Sequence, residues 1–129
     1  MFLLDTHVWL WSLLDPARLS AKALDALTEA ETTLHLSSIS LWESLLLAER
    51  GRIALEPSPP AWLRKAMTES PVSEVPLSMD VVMASVSVNL PHRDPADRLI
   101  AATAKSLDLI LVTADRRLID CRDIRALAV

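Results

Sequence analysis

Glycine occurs once in the 129 residues, at Gly51, and cysteine once, at Cys121. A phosphate-cradling loop needs several glycines where backbone crowds a nucleotide, so the common nucleotide-binding folds are excluded. A lone cysteine cannot close an internal disulfide and is compatible with a reducing cytoplasm. No apolar run approaches the roughly 20 residues that span a bilayer; Asp5, Asp15, Glu43 and Asp80 interrupt every candidate. The apolar start lacks a basic leader and carries Asp5 early, so it reads as a buried strand and helix rather than a signal peptide. An excess of positive charge is missing too: 13 Lys and Arg stand against 17 Asp and Glu, a net charge of −4. A protein that binds nucleic acid over its whole surface is basic. Either this chain does not bind nucleic acid, or its acid is concentrated in one place.

What remains is a chain 51% hydrophobic and 23% charged. At this length one domain, residues 1–129, buries roughly two-thirds of its unfolded surface and needs no staples. There is no repeat and no low-complexity tract, and the proline-rich stretch 56–60 is a linker inside that domain. Extended segments are expected at 2–4, 33–36, 72–76, 109–112 and 123–127. The continuous apolar run 109–112 has the character of a buried parallel strand. Helical spacing marks 8–14, 20–30, 38–50, 61–68, 79–90 and 96–107, with a short helix at 116–119. Ser20 is a candidate N-cap, and Gly51 closes the 38–50 helix. Strands alternating with helices predict a three-layer α/β/α fold around a mostly parallel sheet of four to five strands.

Four acids carry the functional argument. Taken singly, each has a capping explanation. Asp5 and Asp115 each precede a helix; Glu43 follows Ser40 at capping-box spacing. Asp94-Pro95-Ala96-Asp97 is the pattern of a helix start, with Asp at N-cap, Pro at N1 and an acid at N3. Together they mean more. In a parallel sheet every strand-to-helix turn lies on one edge, where ligands of open α/β sheets bind. Asp5, the Glu43 helix and Asp115 follow strands and converge there; Asp97 joins them if its helix packs alongside. Two carboxylates about 5 Å apart repel by roughly 3 kcal/mol at an effective dielectric of about 20. Protonation or a divalent cation relieves that repulsion, and hard oxygen donors favour Mg²⁺ or Mn²⁺ over zinc.

The sequence resembles the PIN-domain family, most closely the VapC-type toxins of bacterial toxin–antitoxin pairs. The resemblance rests on Asp5-Thr6-His7 with Trp9 and Trp11, on 38–43 (SISLWE), on 92–104 (HRDPADRLIAATA) and on 111–116 (LVTADR), in that order. It implies a metal-dependent ribonuclease, usually dimeric, held inactive by a small antitoxin. Asp5, Glu43, Asp97 and Asp115 match the acidic metal site, and Asp94 a further acid of the subgroup. Thr113 matches a hydroxyl that orients the last acid, with Thr6 and Ser38 in similar supporting positions. On this reading Asp5 and Asp97 bind the ion directly; Glu43 and Asp115 bind it through water or hold a second ion. In-line attack by water leaves 5′-phosphate and 3′-hydroxyl ends. Arg93, Arg98, Arg116 and Arg117 are candidate phosphate-binding cations, Arg98 and Arg116 foremost because each directly follows a site acid.

Other residues are set aside. No two histidines fall at ligand spacing, so His7, His35 and His92 do not make a zinc site. Trp9, Trp11, Trp42 and Trp62 are weighted toward core or oligomer contact over base stacking. The first helices and residues 61–68 are candidates for the antitoxin groove or a dimer contact. Rival readings are weaker. A haloacid-dehalogenase-like phosphotransferase wants an acid at position 7, which is His7. A receiver domain wants paired acids after the first strand and a late-strand lysine, whereas Lys105 lies mid-helix. A PIN fold that binds RNA without cutting it remains the nearest alternative.

Overall fold

The structure, a computed structural model, describes residues 1–91 and 94–129. Five short strands, β1 (Phe2–Leu4), β2 (Leu34–Ser37), β3 (Val72–Val75), β4 (Ile110–Thr113) and β5 (Arg125–Ala128), form one sheet in the order β3-β2-β1-β4-β5. Every neighbouring pair is parallel, with Leu3 beside both His35 and Leu111 in register. The helices are α1 (Thr6–Leu14), α2 (Ala21–Thr28), α3 (Ser38–Glu49), α4 (Pro59–Glu69), α5 (Met79–Ala84), α6 (Pro95–Ser106) and α7 (Arg116–Ile119).

Strand alternation divides the core. Leu3 and Leu111 point to one face, where they meet Val81, Ile100, Ala101, Ala104 and Leu118. Leu4 and Val112 point to the other, against Val8, Trp9, Leu10, Leu19 and Leu63. Both faces of the central strands are therefore buried, as their unbroken apolar sequence requires. α3 packs against α1, α4 and α6, so it closes the carboxyl edge of the sheet between the two layers.

Helix ends follow local chemistry. Ser20 Oγ caps α2 through Ala23 N at 3.1 Å. After α3, Gly51 takes φ +72°, Gly51 N donates to Ala48 O and Arg52 N to Leu47 O. That is the paired bonding of a left-handed C-terminal cap, a conformation a glycine adopts without steric cost. Asp94 Oδ1 accepts from Ala96 N and Asp97 N at 3.0 and 3.3 Å, with Pro95 in the first turn, as the sequence pattern implied.

Two expectations fail. The helix expected over 79–90 stops at Ala84 and passes through a 3₁₀ turn, Ser85–Ser87. Ser85 and Ser87 hydroxyls bond back to the carbonyls of Val82 and Ala84, which competes with helix propagation. Arg98 then takes up the carbonyls of Ser85, Val88 and Leu90. The second failure is the Ser40–Glu43 capping box. β2 runs on to Ser37, whose hydroxyl caps α3 at Ile39 N, so Glu43 falls in the second turn.

Candidate active site

The strand order reverses at β1, which has β2 on one side and β4 on the other. The carboxyl edge at such a switch point is where open α/β sheets place their ligands. Here Asp5, Glu43, Asp94, Asp97 and Asp115 line one cleft of about 380 Å³, walled otherwise by His7, Trp11, Ala114 and Arg117. A larger groove of about 590 Å³ between α5 and α6 holds no acid and lacks hydrolytic chemistry.

The acids divide into two kinds. Asp5, at 8% exposure, precedes α1 but bonds the first amide of the helix, Thr6 N at 2.8 Å. Its other oxygen accepts the hydroxyl of fully buried Thr113 at 2.6 Å. Thr113 in turn accepts Asp115 N at 3.0 Å, so the end of β4 braces the end of β1. Glu43 is half-buried on α3 and is bound by the Thr6 hydroxyl. Thr6 Oγ1 also lies 2.9 Å from the buried Ser40 Oγ. A hydroxyl carries one proton; when Thr6 gives its own to Glu43, Ser40 must supply the other bond.

Burial raises the Asp5 carboxyl, outweighing the hydrogen bonds from Thr113 and Thr6 that pull it down. Burial also lifts Glu43, to about 7, with the negative charges of Asp5, Asp97 and Asp94 adding to it against the Thr6 bond. Asp94 and Asp115 are instead satisfied locally. Asp94 caps α6, and Asp115 caps α7 through Arg117 N while receiving the Arg117 guanidinium at 3.3 and 3.2 Å.

Four of the expected supporting residues lie elsewhere or outside the described region. Ser38 turns from the cleft toward β3, donating to Glu74 at 2.7 Å with the Val75 carbonyl 3.3 Å away; the buried hydroxyl beside the acids is Ser40. Arg98 spends its guanidinium on backbone carbonyls and does not line the cleft. Arg116 is exposed and pairs with Asp120 at 3.6 Å. Arg93 and His92 lie outside the described residues. Thr6, Thr113 and Arg117 are at the site. Trp11 and His7, which sequence reasoning set aside, wall it. Their signal was present: they sit four residues apart on the helix that Asp5 opens, hence on one face.

Residues 2–123 match the PIN domain family. The chain belongs to that family. It is 41% identical over 119 residues to Ribonuclease VapC22 of Mycobacterium tuberculosis, covering 90% of this chain and 88% of that protein. This PIN domain also superposes on the Salmonella typhimurium VapBC complex bound to DNA, with a TM-score of 0.74, 19% identity and coverage of 98% and 96%. The Rickettsia felis VapBC2 complex with promoter DNA gives 0.73, at 16% identity and coverage of 98% and 97%. FitAcB of Neisseria gonorrhoeae gives 0.65, at 23% identity and coverage of 98% and 96%. These likenesses establish the α/β PIN fold with its five-stranded parallel sheet.

The donors fit a hard divalent cation: they are all carboxylates, and burial, with neighbouring negative charge adding to it, has already raised two of them. Among the described residues no three potential ligands stand within reach of one ion as placed.

Proposed function

We propose that this PIN domain is a Mg²⁺- or Mn²⁺-dependent endoribonuclease of the cytoplasm, the toxin of a VapBC-type pair. The observation that carries this is five carboxylates on one cleft, one of them buried and one half-buried, both propped by threonine hydroxyls. Helix capping accounts for Asp94 and Asp115 but not for placing Asp5 and Glu43 beside them, which costs desolvation and mutual repulsion. It suits a divalent ion that supplies charge neutralisation and Lewis acidity to phosphodiester hydrolysis.

The protein's part is placement. Asp5 and Asp97 would hold the ion directly, and Thr113 fixes which way Asp5 faces. Thr6 and Ser40 fix Glu43, which with Asp115 orients water beside the scissile phosphate. Arg117, on the cleft wall, meets the RNA backbone once released from Asp115. Water attacks in line, so the RNA 2′-hydroxyl is not the nucleophile and products carry 5′-phosphate and 3′-hydroxyl ends. The likeness to Ribonuclease VapC22 supports RNA as substrate.

The partners follow the same reading. A groove of about 570 Å³ between α1 and α4, walled by Leu13, Trp62, Ala66 and Pro71, is the seat for an antitoxin segment. Two copies pair in solution; α5 and the 3₁₀ turn after it offer them an apolar row in Met79, Val82, Met83 and Val86.

Purified protein incubated with RNA and Mg²⁺ tests the proposal. Cleavage is expected from the wild type and not from Asp5→Asn, with loss on adding EDTA. Equal cleavage by both, no cleavage of varied RNAs by either, or 2′,3′-cyclic phosphate ends each defeat it.

A further inference from the structure

With Arg98 and Arg116 directed elsewhere, the groups that hold RNA phosphates beside the acids must be sought again. α1 supplies one. His7 and Trp11 share the helix face that walls the cleft, their rings 5.9 Å apart and inclined at 52°. After Asp15 the chain turns through the 3₁₀ segment Pro16–Arg18, and buried Leu19 anchors it to the core. That return sets the Arg18 guanidinium carbon 4.4 Å from the Trp11 ring centroid.

The manner of holding matters. No carboxylate pairs with Arg18 among the described residues. An aromatic face fixes a guanidinium without cancelling its charge. Arg117, which also lines the cleft, is paired with Asp115 at 3.2 Å. In a chain of net charge −4, Arg18 is thus a cation kept uncancelled one ring beyond five acids. An anion reaching that cleft needs such a charge at its approach, because the acids repel every phosphate except the one over the ion. The His7 and Trp11 rings beside it meet bases that are unpaired and splayed from a stack.

We propose that Arg18, seated on Trp11, binds a phosphate of single-stranded RNA flanking the scissile one, with Trp11 as the residue that positions it. The proposal rests on the ribonuclease reading and names the substrate form and its path away from the acids.

The test uses Asp5→Asn protein and a short fluorescein-labelled single-stranded RNA, read by anisotropy across a series of KCl concentrations. Adding Arg18→Ala should weaken binding about 5–10-fold and reduce the log–log salt slope by about 0.7, the increment for one single-strand phosphate. Trp11→Leu should give the same loss, and the Arg18→Ala/Trp11→Leu pair no more than either alone. Arg18→Lys and Trp11→Phe, which keep a cation and an aromatic face, should restore most of the binding. A purely structural role for Trp11 predicts lowered melting with an unchanged slope. An unchanged slope in Arg18→Ala, additive losses in the pair, or no RNA binding by the Asp5→Asn protein overturns the subsite. Cleavage by the wild type is scored separately. If it is absent while the Arg18 slope effect is present, the subsite stands and the ribonuclease reading falls.

Discussion

The two halves of the acid cleft are built on opposite terms. At the ends of β1 and in α3, Asp5 and Glu43 are withdrawn from water and held by threonine hydroxyls, and both are harder to ionise than usual. At the starts of α6 and α7, Asp94 and Asp115 cap their own helices. The second half stabilises the fold whether or not chemistry occurs. Asp5 also caps α1 through Thr6 N, but burial sets the first half apart: a buried carboxylate that must ionise costs stability unless something positive joins it. Function is therefore read from the inner pair, and an outer acid can serve two purposes at once.

The largest separation between the halves is expected in activity. Asp5→Asn should lower RNA cleavage about 10²–10⁴-fold with little change in melting, measured by gel assay and circular dichroism. Asp94→Ala should do the reverse, removing about 1 kcal/mol of stability with the smaller activity loss. A finding that Asp94→Ala is the more damaging to cleavage would dissolve the distinction.

Next in size are the props. Thr113→Val keeps shape and burial but leaves Asp5 Oδ2 without its donor. Loss of such a supporting bond costs about 10–100-fold in metal affinity or activity. Ser38→Ala, by contrast, touches only the β3 side and should stay within twofold of wild-type cleavage.

A smaller effect is the pH dependence of metal-free stability. Glu43 is raised from 4.5 to about 7 in the folded chain. Between those values the folded state holds a proton that the unfolded state has released, so raising pH through this window lowers stability. Above about 7 both states are ionised and the curve flattens. Glu43→Gln should remove that decline, leaving the variant more stable than wild type at pH 8 by a few degrees and equal near pH 4.5. Mg²⁺ should then raise melting at pH 8 in the wild type and, to a smaller extent, in Glu43→Gln, which keeps Asp5 and Asp97. The smallest effect concerns Arg117, exposed and bound to Asp115. Arg117→Gln should tighten Mn²⁺ binding by less than about tenfold in a calorimetric titration, because exposed pairs are weak.

The fold was legible because period and punctuation agreed: the 109–112 run became β4, and Asp94-Pro95 opened α6. The 79–90 helix misled because two serines and a guanidinium from a distant helix claimed its carbonyls, which local pattern does not encode. Asp5 could be picked out because it follows β1, and Glu43 because its helix follows β2, whereas Thr6 and Thr113 were indicated by the family resemblance. Ser40 was passed over for Ser38 because the choice depends on where β2 ends and α3 begins, a matter of one helical turn. Arg98 and Arg116 were assigned by adjacency to acids, yet neighbours on a helix point about 100° apart. Trp11 was obscured by its chemistry, since an indole on an apolar helix suits a core as well as a cleft.

A cation that draws the acids together is the central requirement of the proposed chemistry. Isothermal titration of Mn²⁺ into metal-free protein at pH 8 measures this directly, with Asp5→Asn as the paired sample. Saturable binding by the wild type that Asp5→Asn loses is the predicted result. Equal binding by both proteins, or no binding by a wild type that still cleaves RNA, would contradict it.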